Sequence, residues 1–226
     1  MIVSTNHSGW KSNDLIVLAF SIHSIIYDGL DGYFKIAAWV NAIKMNTKAK
    51  IIILLCEGAH LNVISLKYKN DINKALEICR NDADMIYQQF ESLFSDSDVV
   101  YWQDYVKNDC HYQIYKNELN DIIEKNIFYQ DIIDSDIEKT YVNKIIEEYP
   151  DKTLYVKNAK LDLIEMMLGM KVVYERGCRS LLYPGAVPSA MRTIGCYYYH
   201  ELVFVNVSIK THRQDKEKKL VFCENL

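Results

Sequence analysis

The stretch "DLIVLAFSIHSIIYDG", residues 14–29, begins as an apolar run and ends with helical character. Asp14 to Phe20 is rich in branched residues and reads as a buried parallel strand. Ser21, His23 and Ser24 follow it directly, with no glycine-rich loop between strand and helix. A dinucleotide site needs Gly-x-Gly-x-x-Gly at this turn, and a phosphate-loop enzyme needs Gly-Lys-Ser or Gly-Lys-Thr. Neither is present. A serine at a strand end can serve as a nucleophile where a base lies within hydrogen-bond reach. It can also simply cap the helix that follows. His23 reads as a surface histidine.

Further along the chain, "DGYFKIAAWVNAIKM" has helical periodicity and "AKIIILLCEG" is a second buried strand, ended by Gly58. A long helix spans about residues 70–94, its aspartates and asparagines suited to caps and a solvated face. "DVVYWQDY" is a third strand, and a polar helical block covers about residues 111–149. After Pro150 comes "KTLYVKNAKLDLIEMMLGM", whose latter half reads as an amphipathic helix ending near Gly169. "CRSLLYPGAVPS", "YYYHELVFVNVSIKTH" and "KKLVFCENL" read as late strands. Strands alternating with helices predict an α/β fold, Rossmann-like, with a mainly parallel sheet flanked by helices. Ligands in such sheets bind beyond the carboxyl ends of the strands, where Ser21 and Tyr183 fall.

The 226 residues are enough for one α/β domain, and a single domain over 1–226 is expected. Half of them are hydrophobic and 25% are charged, as in ordinary globular proteins. The formal charge of −4 argues against a broad nucleic-acid coat, although not against a local basic patch. No two of the six cysteines form Cys-x-x-Cys and none has zinc spacing with a histidine, so free thiols and no metal are expected. "MIVSTNHSGWKSND" lacks a cationic region followed by a long apolar run, and no stretch approaches a membrane span. A cytoplasmic protein without membrane contact, and a monomer, is the expectation.

Two further residues carry chemistry. Glu165 stands in "LDLIEMMLGM", a carboxylate on an otherwise apolar helical segment. It either lies at the exposed edge of the stripe or finds a cationic partner, because an unpaired buried carboxylate is expensive. Tyr183, in "LLYPG", places a phenol at a strand end, where one of seventeen tyrosines serves either packing or chemistry. There is no Gly-x-Ser-x-Gly elbow and no ordered Ser, Asp and His set.

Taken in order, "LAFSIHS", "LIEMML" and "LLYPG" resemble the tRNA-dependent cyclodipeptide synthases. "AAWVNAI" resembles that family's first helix and "YWQDYVKNDCHYQIYKNELNDIIEK" its central helical block, so the likeness covers about residues 14–200. The resemblance makes Ser21 the nucleophile, Glu165 the anchor of the substrate ammonium group and Tyr183 a phenol relay. Ser24, where one subgroup carries asparagine, together with the pair Tyr183 and Pro184, points to the Tyr-Pro subgroup. Two positions depart from the family: Leu161 stands for a tyrosine four residues before the glutamate, and Ala19 for a glycine.

The resemblance implies an aminoacyltransferase reaction. Ser21 takes the aminoacyl group from one aminoacyl-tRNA, a second aminoacyl-tRNA extends it to a dipeptidyl-enzyme, and cyclisation releases a diketopiperazine. The ester already carries the activation, so no cofactor is implied. Val17, Ala19, Leu168 and Leu181 are expected around the first aminoacyl group, with part of the second strand, Leu54 to Gly58. The long helix is often basic in the family; here Lys74 and Arg80 are outnumbered by acids, so Arg176, Arg179 and "KTHRQDKEKK" are further tRNA candidates. Two other classes remain open: a synthetase-like binding module without turnover, and a serine esterase.

Overall fold

In a computed structural model, residues 3–4, 10–144, 149, 151–183, 187–199, 203–211 and 218–224 are described. The strands are β1 (Val3–Ser4), β2 (Leu15–Phe20), β3 (Lys50–Leu55), β4 (Asp98–Tyr101), β5 (Ser180–Tyr183), β6 (Val203–Thr211) and β7 (Lys218–Glu224). The helices are α1 (Ile22–Asp28), α2 (Leu30–Asn46), α3 (Leu61–Ser65), α4 (Ile72–Phe94), α5 (Tyr112–Glu124), α6 (Ile127–Lys144), α7 (Lys152–Glu175) and α8 (Ser189–Tyr198). The strands form one sheet in the order β1-β7-β6-β5-β2-β3-β4. From β6 to β4 every neighbouring pair is parallel; β7 joins β6 antiparallel.

Strand geometry divides the core. Successive side chains of a strand point to opposite faces. Ile16, Leu18 and Phe20 therefore join Ile51, Ile53 and Leu55 against Trp39 and Ile43 of α2 and Ile86 and Phe94 of α4. Val17 and Ala19 join Ile52 and Leu54 on the other face, against α7 (Leu163, Met166, Met167), α5 (Leu119, Ile123) and α6 (Ile133, Ile137). Both faces of β2 and β3 are covered, which is why these strands read as unbroken apolar runs.

The helix starts follow the side-chain chemistry. Asp71 accepts from the Lys74 amide at 2.9 Å and Asp151 from the Leu154 amide at 3.0 Å, each capping the helix behind it. Ala75, Cys79, Ala83 and Ile86 recur at helical spacing as the buried stripe of α4.

Three sequence expectations are corrected. α7 does not end near Gly169 but continues to Glu175, because its glycine makes room for a tryptophan instead of terminating the helix. "DVVYWQDY" is strand only to Tyr101; Gln103–Lys107 is a π-helical turn. In "YYYHELVFVNVSIKTH", Tyr197 and Tyr198 end α8, and β6 starts at Val203. Among the described residues no helix is long and apolar enough to cross a membrane.

Candidate active site

Ser21 follows β2 directly and is the N-cap residue of α1, with φ −73° and ψ 107°. Its backbone carbonyl accepts from the Ile25 amide at 3.1 Å, but its side chain makes no capping hydrogen bond. Ser21 is among the residues that line a small pocket at the carboxyl ends of β2, β3 and β4. Ala19 and Cys56 form the floor of that pocket, and Met166 and Met170 of α7 with Met191 of α8 form its apolar walls. Ala59, His60 and Trp102 complete it. Its free space is only about 10 Å³, close to one water molecule. Three unbranched methionines can repack to widen it. A larger open groove of about 280 Å³ lies between Lys44, Lys50, Asp96 and Asp98, at the amino ends of β3 and β4 and so away from Ser21.

Cys56 is a second nucleophile type in the pocket. Its thiol donates to the Leu54 carbonyl at 3.6 Å, and burial pushes its pKa well above the usual thiol range. It stays a protonated thiol, which makes it a poor nucleophile.

Two buried carboxylates build the rim. Glu57, just beyond β3, accepts from the Trp102 amide at 2.8 Å and the Gln103 amide at 3.1 Å, and pairs with Arg80 at 3.3 Å. It thereby pins the start of the π-helical turn against β3. Burial raises its pKa, against the lowering by those donors. Asp162 of α7 accepts from the Asn62 amide and side chain at 2.9 and 2.8 Å and from the Val63 amide at 2.9 Å. It holds the α3 turn, and His60 with it, against α7. Burial pushes Asp162 up to about 7.

Glu165 is buried and paired, not at an exposed edge. Lys107 Nζ lies 2.5 Å from one carboxylate oxygen and Lys116 Nζ 3.7 Å from the other. The Tyr112 hydroxyl donates to it, and Lys107 Nζ donates to that phenol oxygen at 2.8 Å. Burial, followed by the hydrogen bond to Glu165, raises the Tyr112 pKa strongly, so it remains a phenol. Leu161, the counterpart of the family tyrosine, is 43% exposed and turned away. A phenol still reaches Glu165, but from α5. Met166, the next residue, faces the Ser21 pocket, whereas Glu165 itself is not among the groups lining it.

The remaining expected site residues separate. Ala19 lines the pocket, while Val17, Leu168 and Leu181 are fully buried in the core on that side of the sheet and do not line it. The backbone of Tyr183 ends β5, the strand beside β2, at the edge that carries Ser21. The side chains of Ser24 and Tyr183, and Pro184 as a whole, lie outside the described residues. Lys74 pairs with Glu77 at 3.1 Å on the exposed start of α4. Arg80 bridges Glu57 and Asp104 and stacks over Tyr101 at 3.5 Å. Arg176 pairs with Asp109 at 2.9 Å over Tyr105, and Arg179 donates to the Tyr174 and Cys178 carbonyls. Lys210 near the end of β6 and Lys218 and Lys219 opening β7 put part of "KTHRQDKEKK" at the carboxyl edge of the sheet, the edge of Ser21.

His60, Trp102, Tyr112, Lys107 and Asp162 were not legible as site residues. Only the neighbourhood of Leu54 to Gly58 pointed toward His60. Among the described residues, Cys56, Cys79, Cys110 and Cys178 are free thiols. Asp109, Cys110 and His111 bring ligand atoms within 4.8 Å of one another, but the Asp109 carboxylate is already held by Arg176.

No protein-family model matches the chain. No curated protein matches it either. Solved structures share its fold. A cyclodipeptide synthase from Fluoribacter dumoffii superposes with a TM-score of 0.73 at 14% identity, covering 94% of this chain and 91% of that one. A cyclodipeptide synthase from Candidatus Glomeribacter gigasporarum, bound to Phe-tRNAPhe, gives 0.66 at 16% identity, covering 88% and 89%. A tyrosyl-tRNA synthetase from Leishmania major gives 0.51 at 11% identity, covering 96% of this chain and 33% of that one. The chain has the Rossmann-like α/β fold that these proteins share.

Proposed function

We propose that this protein is an aminoacyltransferase that joins two aminoacyl groups from aminoacyl-tRNAs into a cyclodipeptide, through an ester on Ser21. The observation that carries the reading is the seat of Ser21. Ser21 lines the pocket at the carboxyl ends of three parallel strands, in a fold common over nearly its whole length to cyclodipeptide synthases. The missing phosphate loops agree with a substrate that arrives already activated as an ester.

In the first step the Ser21 oxygen attacks the ester carbonyl and the tRNA leaves. The amine of the aminoacyl group on Ser21 then attacks the ester carbonyl of a second aminoacyl-tRNA; the bond to that tRNA's 3′ oxygen breaks, the tRNA leaves with a free hydroxyl, and a dipeptide remains as an ester on Ser21. The terminal amine attacks that ester and closes the ring. Glu165 receives the substrate ammonium group in place of the Lys107 ammonium, and Tyr183 relays a proton in cyclisation. Ser24 and the pair Tyr183 and Pro184 in the sequence support a reading within the Tyr-Pro subgroup. Lys210, Lys218 and Lys219, whose backbone lies at the carboxyl edge of the sheet, are candidates for tRNA contact, whereas Arg80 and Arg176 are engaged in ion pairs within the fold.

One observation favours a second reading. Glu165 already has two ammonium partners, so a bound amino group must displace one of them. A domain that binds aminoacyl-tRNA without turnover needs no such exchange. Expression in a bacterial host with mass spectrometry of the medium separates the two. Diketopiperazines that vanish with Ser21→Ala support the enzyme; their absence, together with retained aminoacyl-tRNA binding, supports the binding module.

A further inference from the structure

We propose that Lys107 sets the affinity for the substrate amine as a tethered stand-in: its ammonium fills the seat that Glu165 and Tyr112 offer to an α-ammonium group, and it swings out when an aminoacyl group binds. The inference deepens the reading of Glu165 as ammonium anchor and rests on it.

The distances define the seat. Lys107 Nζ lies 2.5 Å from Glu165 Oε2 and donates to the Tyr112 hydroxyl oxygen at 2.8 Å. That hydroxyl in turn donates to the same carboxylate oxygen. A carboxylate and a phenol oxygen thus converge on one ammonium. An α-ammonium has the same charge and the same N–H donors as a lysine head. Lys116 is held differently. Its Nζ stands 3.7 Å from the other carboxylate oxygen, beyond hydrogen-bond length, and its side chain is 37% exposed. It serves as a counter-charge and leaves the seat to Lys107.

Electrostatics make binding an exchange. The Glu165 side chain is only 10% exposed, and stripping a buried carboxylate of its cation is strongly destabilising. Adding a further ammonium is no better, because Lys107 and Lys116 already face this one carboxylate and like charges repel. One ammonium therefore replaces another, and Glu165 stays paired throughout.

The exchange needs no backbone movement. Lys107 ends the π-helical turn Gln103–Lys107, a form frequent at functional sites. The turn is pinned on both sides. Glu57 holds the Trp102 and Gln103 amides at 2.8 and 3.1 Å, and Arg80 pairs with Asp104 at 2.9 Å. Just past the turn, Arg176 pairs with Asp109 at 2.9 Å, and Val106 within it is buried. The Lys107 side chain is 24% exposed on a flexible four-carbon stem, so rotation of that stem carries its head into water. The apparent affinity for an amine then falls with the fraction of molecules whose seat is free.

The test is equilibrium binding to total bacterial tRNA charged with amino acids, compared with the same tRNA after N-acetylation, which removes the ammonium charge. The full-length protein carries Ser21→Ala, so that no group is transferred. The ratio of the two affinities reads the amine alone. Lys107→Met keeps the stem without the charge and is expected to raise that ratio about tenfold. Lys107→Arg grips the carboxylate through a bidentate fork and is expected to lower it; it carries the test if Lys107→Met fails to fold. Lys116→Met is expected to produce no gain. A ratio in Lys107→Met at or below that of the parent overturns the role of Lys107, as does a rise in Lys107→Arg or a gain confined to Lys116→Met. Equal binding of free and acetylated forms by parent and Lys107→Met alike strikes the reading of Glu165, and this inference with it. A parent preference for the free amine that Lys107→Met leaves unchanged strikes this inference alone.

Discussion

Gly169 lies in the middle of α7 directly against the six-membered ring of Trp102. A Cβ at position 169 would overlap Cη2, Cζ2 and Cζ3 of that ring. In an ordinary helix interior, alanine is more stable than glycine by about 1 kcal/mol. Here the sign reverses, because the indole is also blocked on its other edge by Gly58. Gly169→Ala is expected to lose about 1–3 kcal/mol in urea unfolding, the range for overpacking a tight core. A stabilised variant would mean that the ring is not wedged there.

Ser21→Ala is expected to remain folded and to lose all covalent loading. Intact-protein mass spectrometry after exposure to charged tRNA checks this. A mass increase on the alanine variant would move the nucleophile elsewhere.

Tyr112 takes the place at Glu165 that the family resemblance gives to position 161. Tyr112→Phe removes a donor to a buried carboxylate, and a loss of about 1.5–3 kcal/mol is expected. Cyclodipeptide yield should fall at least about tenfold, as expected for a misplaced proton-handling group. Leu161→Tyr should leave the yield unchanged, because residue 161 faces solvent. Rescue of Tyr112→Phe by Leu161→Tyr would contradict this placement.

Asp162 gives the protein a pH signature. Its folded pKa, about 7, lies above the ordinary aspartate value of 3.8. The folded chain therefore holds a proton that the unfolded chain releases. The associated stability is fully present below about pH 4 and is lost as pH rises to about 7. Asp162→Asn cannot titrate, so the difference between wild type and variant in urea midpoint should shift across this window and level off above it. A constant difference from pH 4 to 8 would rule the linkage out.

Arg80 is expected to behave as a structural residue. Arg80→Ala removes the cation paired with the buried Glu57 and the stack on Tyr101, so it should lower the unfolding midpoint. The salt dependence of tRNA binding should be unchanged. Replacing Lys218 and Lys219 together should instead reduce the slope of log affinity against log salt by roughly 1 or more. The reverse pattern would return the tRNA contact to α4.

The alternation of strand and helix, the two-sided burial of β2 and β3, and the position of Ser21 beyond a strand end were legible in the chain. Each is a local property: an unbroken apolar run implies a strand covered on both faces, and a hydroxyl directly after it must fall at the sheet edge. The end of α7 was misread because Gly169 looks locally like a helix stop, whereas its reason is an indole 67 positions earlier in the chain. The surroundings of Glu165 were likewise beyond local reading. Helical spacing marked it as a carboxylate that needed a partner, but Lys107, Tyr112 and Lys116 arrive from a different segment.

The sequence by itself determined the fold class and the seat of the hydroxyl, since periodicity and chain order act over neighbouring residues. Only the tertiary structure decided which residues share a pocket with Ser21. His60, Trp102 and the three methionines come from β3–α3, β4, α7 and α8 and meet only because the parallel strands end at one edge. Packing across long sequence separations leaves no period in the chain, so the pocket had to be seen folded.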